Sequence, residues 1–122
     1  QNDVISMIKP GITFNDLNDA CWTQMEALLD REFVAKGGTF KRDYKKQPHN
    51  VGHLLGIQTH DGDPFRAYRC HKLPEGAIIT IEPGLYGQFE LNGESIHCGI
   101  RIEDNILITK SSCENLSVEI PK

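Results

Sequence analysis

The chain has 122 residues, of which 39% are apolar and 25% charged, with a formal net charge of -4. That length suits a single domain around one core, and the composition is that of a globular chain rather than a disordered or fibrous one. The negative balance argues against nucleic acid as a partner, and no apolar run reaches the roughly 18 residues that a membrane span needs.

In chain order, the opening QNDVISMIKPG has neither the basic nor the apolar run of a secretion signal, so a soluble protein is expected. Pro10-Gly11 marks a turn. Thr13 with Asp16 three residues on makes a capping arrangement for a helix start. Leu17, Cys21, Met25, Leu28 and Leu29 then recur at helical spacing, which predicts a helix over 14–34 with its apolar face on a core. Gly37-Gly38 stops it. The short basic run Lys41, Arg42, Lys45 and Lys46 contains Asp43 and reads as a solvated loop or strand edge.

From Thr39 to Leu73 the chain is rich in Gly, His, Asp and Pro, the character of functional loops on a scaffold. Ala77 to Glu82 is a β-branched run ended by Pro83-Gly84 and predicts a strand. Residues 96–109, IHCGIRIEDNILIT, predict a second strand or a bent hairpin interrupted near Asp104-Asn105. An α+β domain follows, one helix packed on an antiparallel sheet. Cys21, Cys70, Cys98 and Cys113 are not at CxxC spacing, which favours reduced thiols and a cytoplasmic location.

The chemistry-bearing residues are His49, His53, His60, Glu82 and Glu103. Imidazole nitrogen with carboxylate oxygen suits Zn²⁺, Mn²⁺, Co²⁺ or Fe²⁺. Strand alternation puts Thr80 and Glu82 on one face with Ile79 and Ile81 on the other, and likewise Arg101 and Glu103 against Ile100 and Ile102. If the two strands pair, both carboxylates converge on one cavity, away from an isoleucine-lined core and with Arg101 nearby. Spacing alone does not decide which histidine binds metal.

HNVGHLLGIQTHD resembles the HGxGHxxGxxxHD signature of the pita-bread metallopeptidases, in their Xaa-Pro aminopeptidase (aminopeptidase P) and prolidase branch. LPEGAIITIEPGLY is similar to the family's L-x-x-G-M-x-x-T-I-E-P-G-x-Y strand, GIRIEDNILIT to its G-I-R-I-E-D-D-x-L-V-T, and IKPGITFNDL to its I-K-P-G-x-T-x-x-E-L. Motifs in fixed order cover nearly the whole chain. The resemblance implies a partial pita-bread (creatinase/aminopeptidase-like) fold, with residues 1–122 the C-terminal portion of a catalytic domain.

It implies that His53 and Glu82 bind one metal and that Glu103 bridges two. It implies that His49 and His60 bind substrate and assist catalysis, that Arg101 is a substrate-side cation, and that Glu82 doubles as general acid/base. The implied cofactor is a pair of divalent ions, Mn or alternatively Zn or Co, and the implied substrate is a peptide with proline at its second position. The reading is an Xaa-Pro aminopeptidase, with prolidase or a catalytically silent pita-bread-like module as the alternatives. In the family an Asp pair upstream of the I-K-P-G motif holds the second metal. Only Gln1 to Met7 precede that motif here, and Asp3 stands alone. The isolated chain is therefore expected to be inactive, and to self-associate or pair with a missing N-terminal half. Asn50 stands where the family often has Gly, a small change because Asn also tolerates unusual backbone conformations.

Overall fold

In the computed structural model, residues 1–44, 48–62 and 67–122 are described. Lys45 and Lys46 of the basic run lie outside them. A short helix α1 (Asn2–Ser6) leads to α2 (Phe14–Glu32). The start of α2 is fixed by a reciprocal capping box: Asp16 N–H donates to Thr13 Oγ1 at 3.1 Å, and Thr13 N–H donates to Asp16 Oδ2 at 3.0 Å. The helix ends at Glu32, and a single 3₁₀ turn over Val34–Lys36 closes on Gly37 at φ 88°, the left-handed geometry that glycine adopts without strain.

Only the first half of α2 is core. Phe14, Leu17, Cys21 and Trp22 are buried and Met25 is partly so, but Leu28 is 43% exposed. The predicted apolar stripe runs past the end of the surface it has to cover.

Two three-stranded antiparallel sheets take the place of the single expected sheet. β1 (Thr39–Arg42), β3 (Gly84–Leu91) and β4 (Glu94–Arg101) form one, in the order β1-β3-β4. β2 (Ile78–Ile81), β5 (Asp104–Ile108) and β6 (Cys113–Asn115) form the other, in the order β2-β5-β6. The turn between β3 and β4 carries Asn92 at φ 53° and Gly93 at φ 82°, the twisted two-residue hairpin turn that Asn-Gly favours.

The core joins α1 (Val4), its continuation (Ile8) and the first half of α2 to Val51, Ile79, Ile81, Ile106 and Ile108. β2 is buried on both faces: Ile79 and Ile81 are 0% exposed, Thr80 is 1% and Glu82, one residue beyond, is 8%. The strand over 96–109 is interrupted as expected, at Ile102-Glu103 just ahead of Asp104, but one further expectation needs correction. Ile100 and Ile102 are 60% and 40% exposed, so Arg101 and Glu103 do not sit opposite an isoleucine-lined core.

Candidate metal centre

Three adjacent segments each bring one donor to the same end of the second sheet. The stretch from Val51 to Leu55 lies alongside β2 as an irregular extra strand: Thr80 N–H donates to the His53 carbonyl at 2.9 Å, Glu82 N–H to Val51 at 2.6 Å and Leu55 N–H to Ile78 at 2.9 Å. On the other side β2 pairs with β5, Ile81 opposite Asp104. His53 thus comes from the extra strand, Glu82 from just past β2, and Glu103 from just before β5. One donor atom from each lies within 4.8 Å of the others.

The extra strand can approach because Gly52 has no side chain; a Cβ there would collide with the Thr80 carbonyl. From the helix side Asn18, buried on α2, accepts from Val51 N–H at 2.7 Å and donates to the Asn50 side chain at 3.3 Å. The loop after His53 is tied by Asp61, whose carboxylate accepts from Ile57 N–H at 3.1 Å and Gly62 N–H at 2.9 Å.

The donor chemistry fits a cation. His53 Nδ1 lies 2.9 Å from the Leu54 carbonyl, so that nitrogen carries the proton and donates. In the neutral ring the opposite nitrogen, Nε2, then presents a lone pair, and it faces Glu82 Oε1 at 3.1 Å. A lone pair and a carboxylate oxygen at that distance repel unless a proton or a metal ion lies between them. An imidazole oriented through its far N–H is the usual arrangement of a ligating histidine. The Thr80 hydroxyl, 1% exposed, links the two ligands, accepting from His53 N–H at 3.0 Å and donating to Glu82 Oε1 at 3.1 Å. Glu82 Oε2 is 3.6 Å from Arg101 Nη1.

These side chains open into a cavity of about 570 Å³ lined by His49, His53, His60, Tyr68, Glu82 and Arg101 among others. The His60 ring lies against that of His53, with centroids 4.3 Å apart and planes tilted by 49°. His49 has its Nε2 3.0 Å from the Tyr86 hydroxyl and its Nδ1 2.7 Å from the Asn50 carbonyl. Gly84 makes room for that pair, since a Cβ there would press on both. An aromatic row runs from Trp22 through Tyr44 and Tyr86 to His49, with centroid spacings of 6.1, 6.5 and 5.7 Å. Burial pushes the Tyr44 phenol up, so it is neutral in that row.

The profile of metallopeptidase family M24 matches residues 1–110. This chain belongs to that family. It is 32% identical over 128 residues to Xaa-Pro aminopeptidase 3 of Rattus norvegicus, an alignment covering 100% of the chain and 25% of the relative. Among solved structures it is similar to aminopeptidase P from E. coli with the inhibitor Pro-Leu (TM-score 0.68, 25% identity, 99% of this chain and 29% of that one). It is also similar to the prolidase from Pyrococcus horikoshii OT3 (TM-score 0.61, 29% identity, 95% and 28%). The chain spans about a quarter to a third of the length of the curated relatives it matches. Its architecture is part of the pita-bread fold of these M24 structures, and membership of a metallopeptidase family implies a divalent ion. No helix among the described residues is long and apolar enough to cross a membrane.

The sequence-derived candidates of this M24 chain thus fall together: His49, His53, His60, Glu82 and Arg101 line one cavity, and Glu103 joins His53 and Glu82 at its edge. The two strands pair as expected, β2 with β5, and Glu82 and Glu103 lie one residue beyond the last registered pair, Ile81 with Asp104, where one sheet hands over to the other. Sequence reasoning passed over Asn18 and Tyr86 and gave Thr80 no part in the site. A signal existed for Thr80, which shares the Glu82 face, and for Asn18, a polar residue on the buried face of α2.

Proposed function

We propose that residues 1–122 are the C-terminal portion of an M24 catalytic domain that hydrolyses the peptide bond before proline at peptide N-termini, as an Xaa-Pro aminopeptidase. The observation that carries this reading is the convergence of His53, Glu82 and Glu103 from three adjacent segments to within 4.8 Å. These residues would hold a divalent ion, Mn²⁺ by preference with Zn²⁺ or Co²⁺ as alternatives, and Glu103 at the edge would share a second. When bound, the ions supply Lewis acidity and an activated water.

The other roles belong to the chain's own groups. Glu82, oriented by Thr80, takes a proton and delivers it to the leaving proline nitrogen. His49 and His60 line the cavity and bind the peptide: His60 donates to its carbonyl oxygen as charge develops there, and His49 does so once the peptide takes the place of the Tyr86 hydroxyl at its Nε2. Arg101 pairs with the substrate side of the site and steadies the Glu82 carboxylate. An Xaa-Pro dipeptidase is the second reading, favoured by the likeness to the Pyrococcus prolidase. A reducing cytoplasm suits the Cys21 and Cys113 thiols, which burial holds protonated.

The second ion needs carboxylates beyond those on this chain, so we expect the isolated residues to turn over an Xaa-Pro peptide at least about 10³-fold more slowly than a complete homologous domain. The measurement is kcat/KM with Mn²⁺, Co²⁺ and Zn²⁺ each in excess, on the chain alone and on a form extended upstream to carry an Asp pair. The extended form should recover the loss. Full activity in the isolated chain would overturn the missing-ligand reading, and no recovery in the extended form would favour a silent module.

A further inference from the structure

We infer that Gln1 is a positioning residue for the two carboxylates. The ladder between the Glu82 and Glu103 segments lapses where the ligands stand: Ile81 is opposite Asp104 in one sheet, Gly84 opposite Arg101 in the other, and residues 82–83 and 102–103 lie between without registered pairing. Pro83 has no N–H to give. Among the described residues the backbone bond across this gap is Ile102 N–H to the Pro83 carbonyl, long at 3.5 Å. Backbone pairing therefore fixes the separation of Glu82 and Glu103 weakly.

The Gln1 carboxamide spans the gap. Its Nε2 donates one hydrogen to the Ile81 carbonyl at 3.0 Å and the other to the Ile102 carbonyl at 3.1 Å. Those are the peptide units immediately before Glu82 and Glu103. The amide orientation follows from chemistry, because its oxygen in that place would face two carbonyl oxygens. A group with two donors at a fixed angle thus sets the distance between the two segments, and with it the spread of the carboxylates.

This inference rests on the metal-centre reading. It is tested on the chain by Co²⁺ titration, recording affinity, the visible absorption that reports coordination geometry, and the metal-free melting midpoint. Gln1→Met keeps length and removes the donors, and Gln1→Glu replaces them with acceptors. Thr13→Ala serves as the control, because it loosens the α2 cap away from the site. Orienting groups of this kind change metal affinity about 10- to 100-fold. Both Gln1 variants should bind Co²⁺ more weakly by that range and with an altered spectrum, while Thr13→Ala stays within about twofold of the unmodified chain. If Gln1→Glu does not fold, Gln1→Met decides alone. Unmodified affinity and spectrum in Gln1→Met, or an equal loss in Thr13→Ala, would overturn the clamp. Failure of the unmodified chain to bind Co²⁺ would overturn the metal-centre reading and the clamp with it.

Discussion

At the scale of single residues, the imidazoles are not equivalent. His53 presents a lone pair to Glu82, whereas His49 spends its nitrogens on Tyr86 and the Asn50 carbonyl. In a calorimetric titration of divalent ion, His53→Ala should abolish binding and His49→Ala should leave it within a few-fold. Equal loss in both would mean the ligand histidine has been wrongly assigned. Thr80 offers a sharper case, because Thr80→Val keeps the shape and deletes only the hydroxyl. The buried His53 N–H then loses its acceptor and Glu82 its orienting donor, so stability should fall by about 1–3 kcal/mol and metal affinity by about 10-fold or more. A variant that melts as predicted yet binds metal unchanged would show that Thr80 supports the fold alone.

At the scale of elements, the α2 cap and the extra strand make separate predictions. Thr13→Ala should cost about 1 kcal/mol in denaturant unfolding. The Thr13 hydroxyl and N–H hold the Asp16 carboxyl below its usual range. A depressed folded-state value means that this contribution is present above the unfolded value, near pH ~3.9, and is lost as pH falls through the lower folded one. Unfolding measured from pH 6 down to 2 should show part of the acid slope disappear in Asp16→Asn. Gly52→Ala should lower both stability and metal binding, since it drives the His53 strand off β2; retention of both would contradict the packing described.

The cap, the α2 start and the β2 strand were legible in the sequence because each is set by local chemistry: a Thr and Asp at the right offset, apolar spacing, a β-branched run. The β3–β4 hairpin has a strong local signal in its Asn92-Gly93 turn, but residues 87–95 hold no β-branched residue, so composition gives no strand there. Which ligand strands adjoin is not a local property. Pro83 and the handover between two sheets decide it, and periodicity within a strand carries no information about which neighbour a strand will find. The candidate residues stand out by their donor chemistry, their separate roles come from the motif resemblance, and the convergence of the carboxylates hangs on a strand pairing that the β2–β5 ladder supplies.

At the scale of the whole molecule, β4 is an edge strand among the described residues, and Ile96 and Ile100 on it are 61% and 60% exposed. Val118 and Ile120 near the chain end add 69% and 60%. An open edge with apolar side chains is a pairing surface. Sedimentation over a hundredfold concentration range should therefore show self-association, in a contact above about 1,000 Å². Strict monomers at the highest concentration would favour a module shaped to stand alone. The two chain ends have a consequence of their own, because both reach the Glu103 segment: Gln1 through the Ile102 carbonyl, and Lys122 through the Glu103 carbonyl at 2.8 Å and the buried Asp104 carboxylate at 2.6 Å. Any polypeptide joined ahead of residue 1 is thereby delivered within a side chain's reach of the carboxylates. Tethering makes further donors on such a segment effectively millimolar at the site without any affinity of their own, so a purification tag rich in histidine placed there would compete for the very ion under study, and belongs elsewhere.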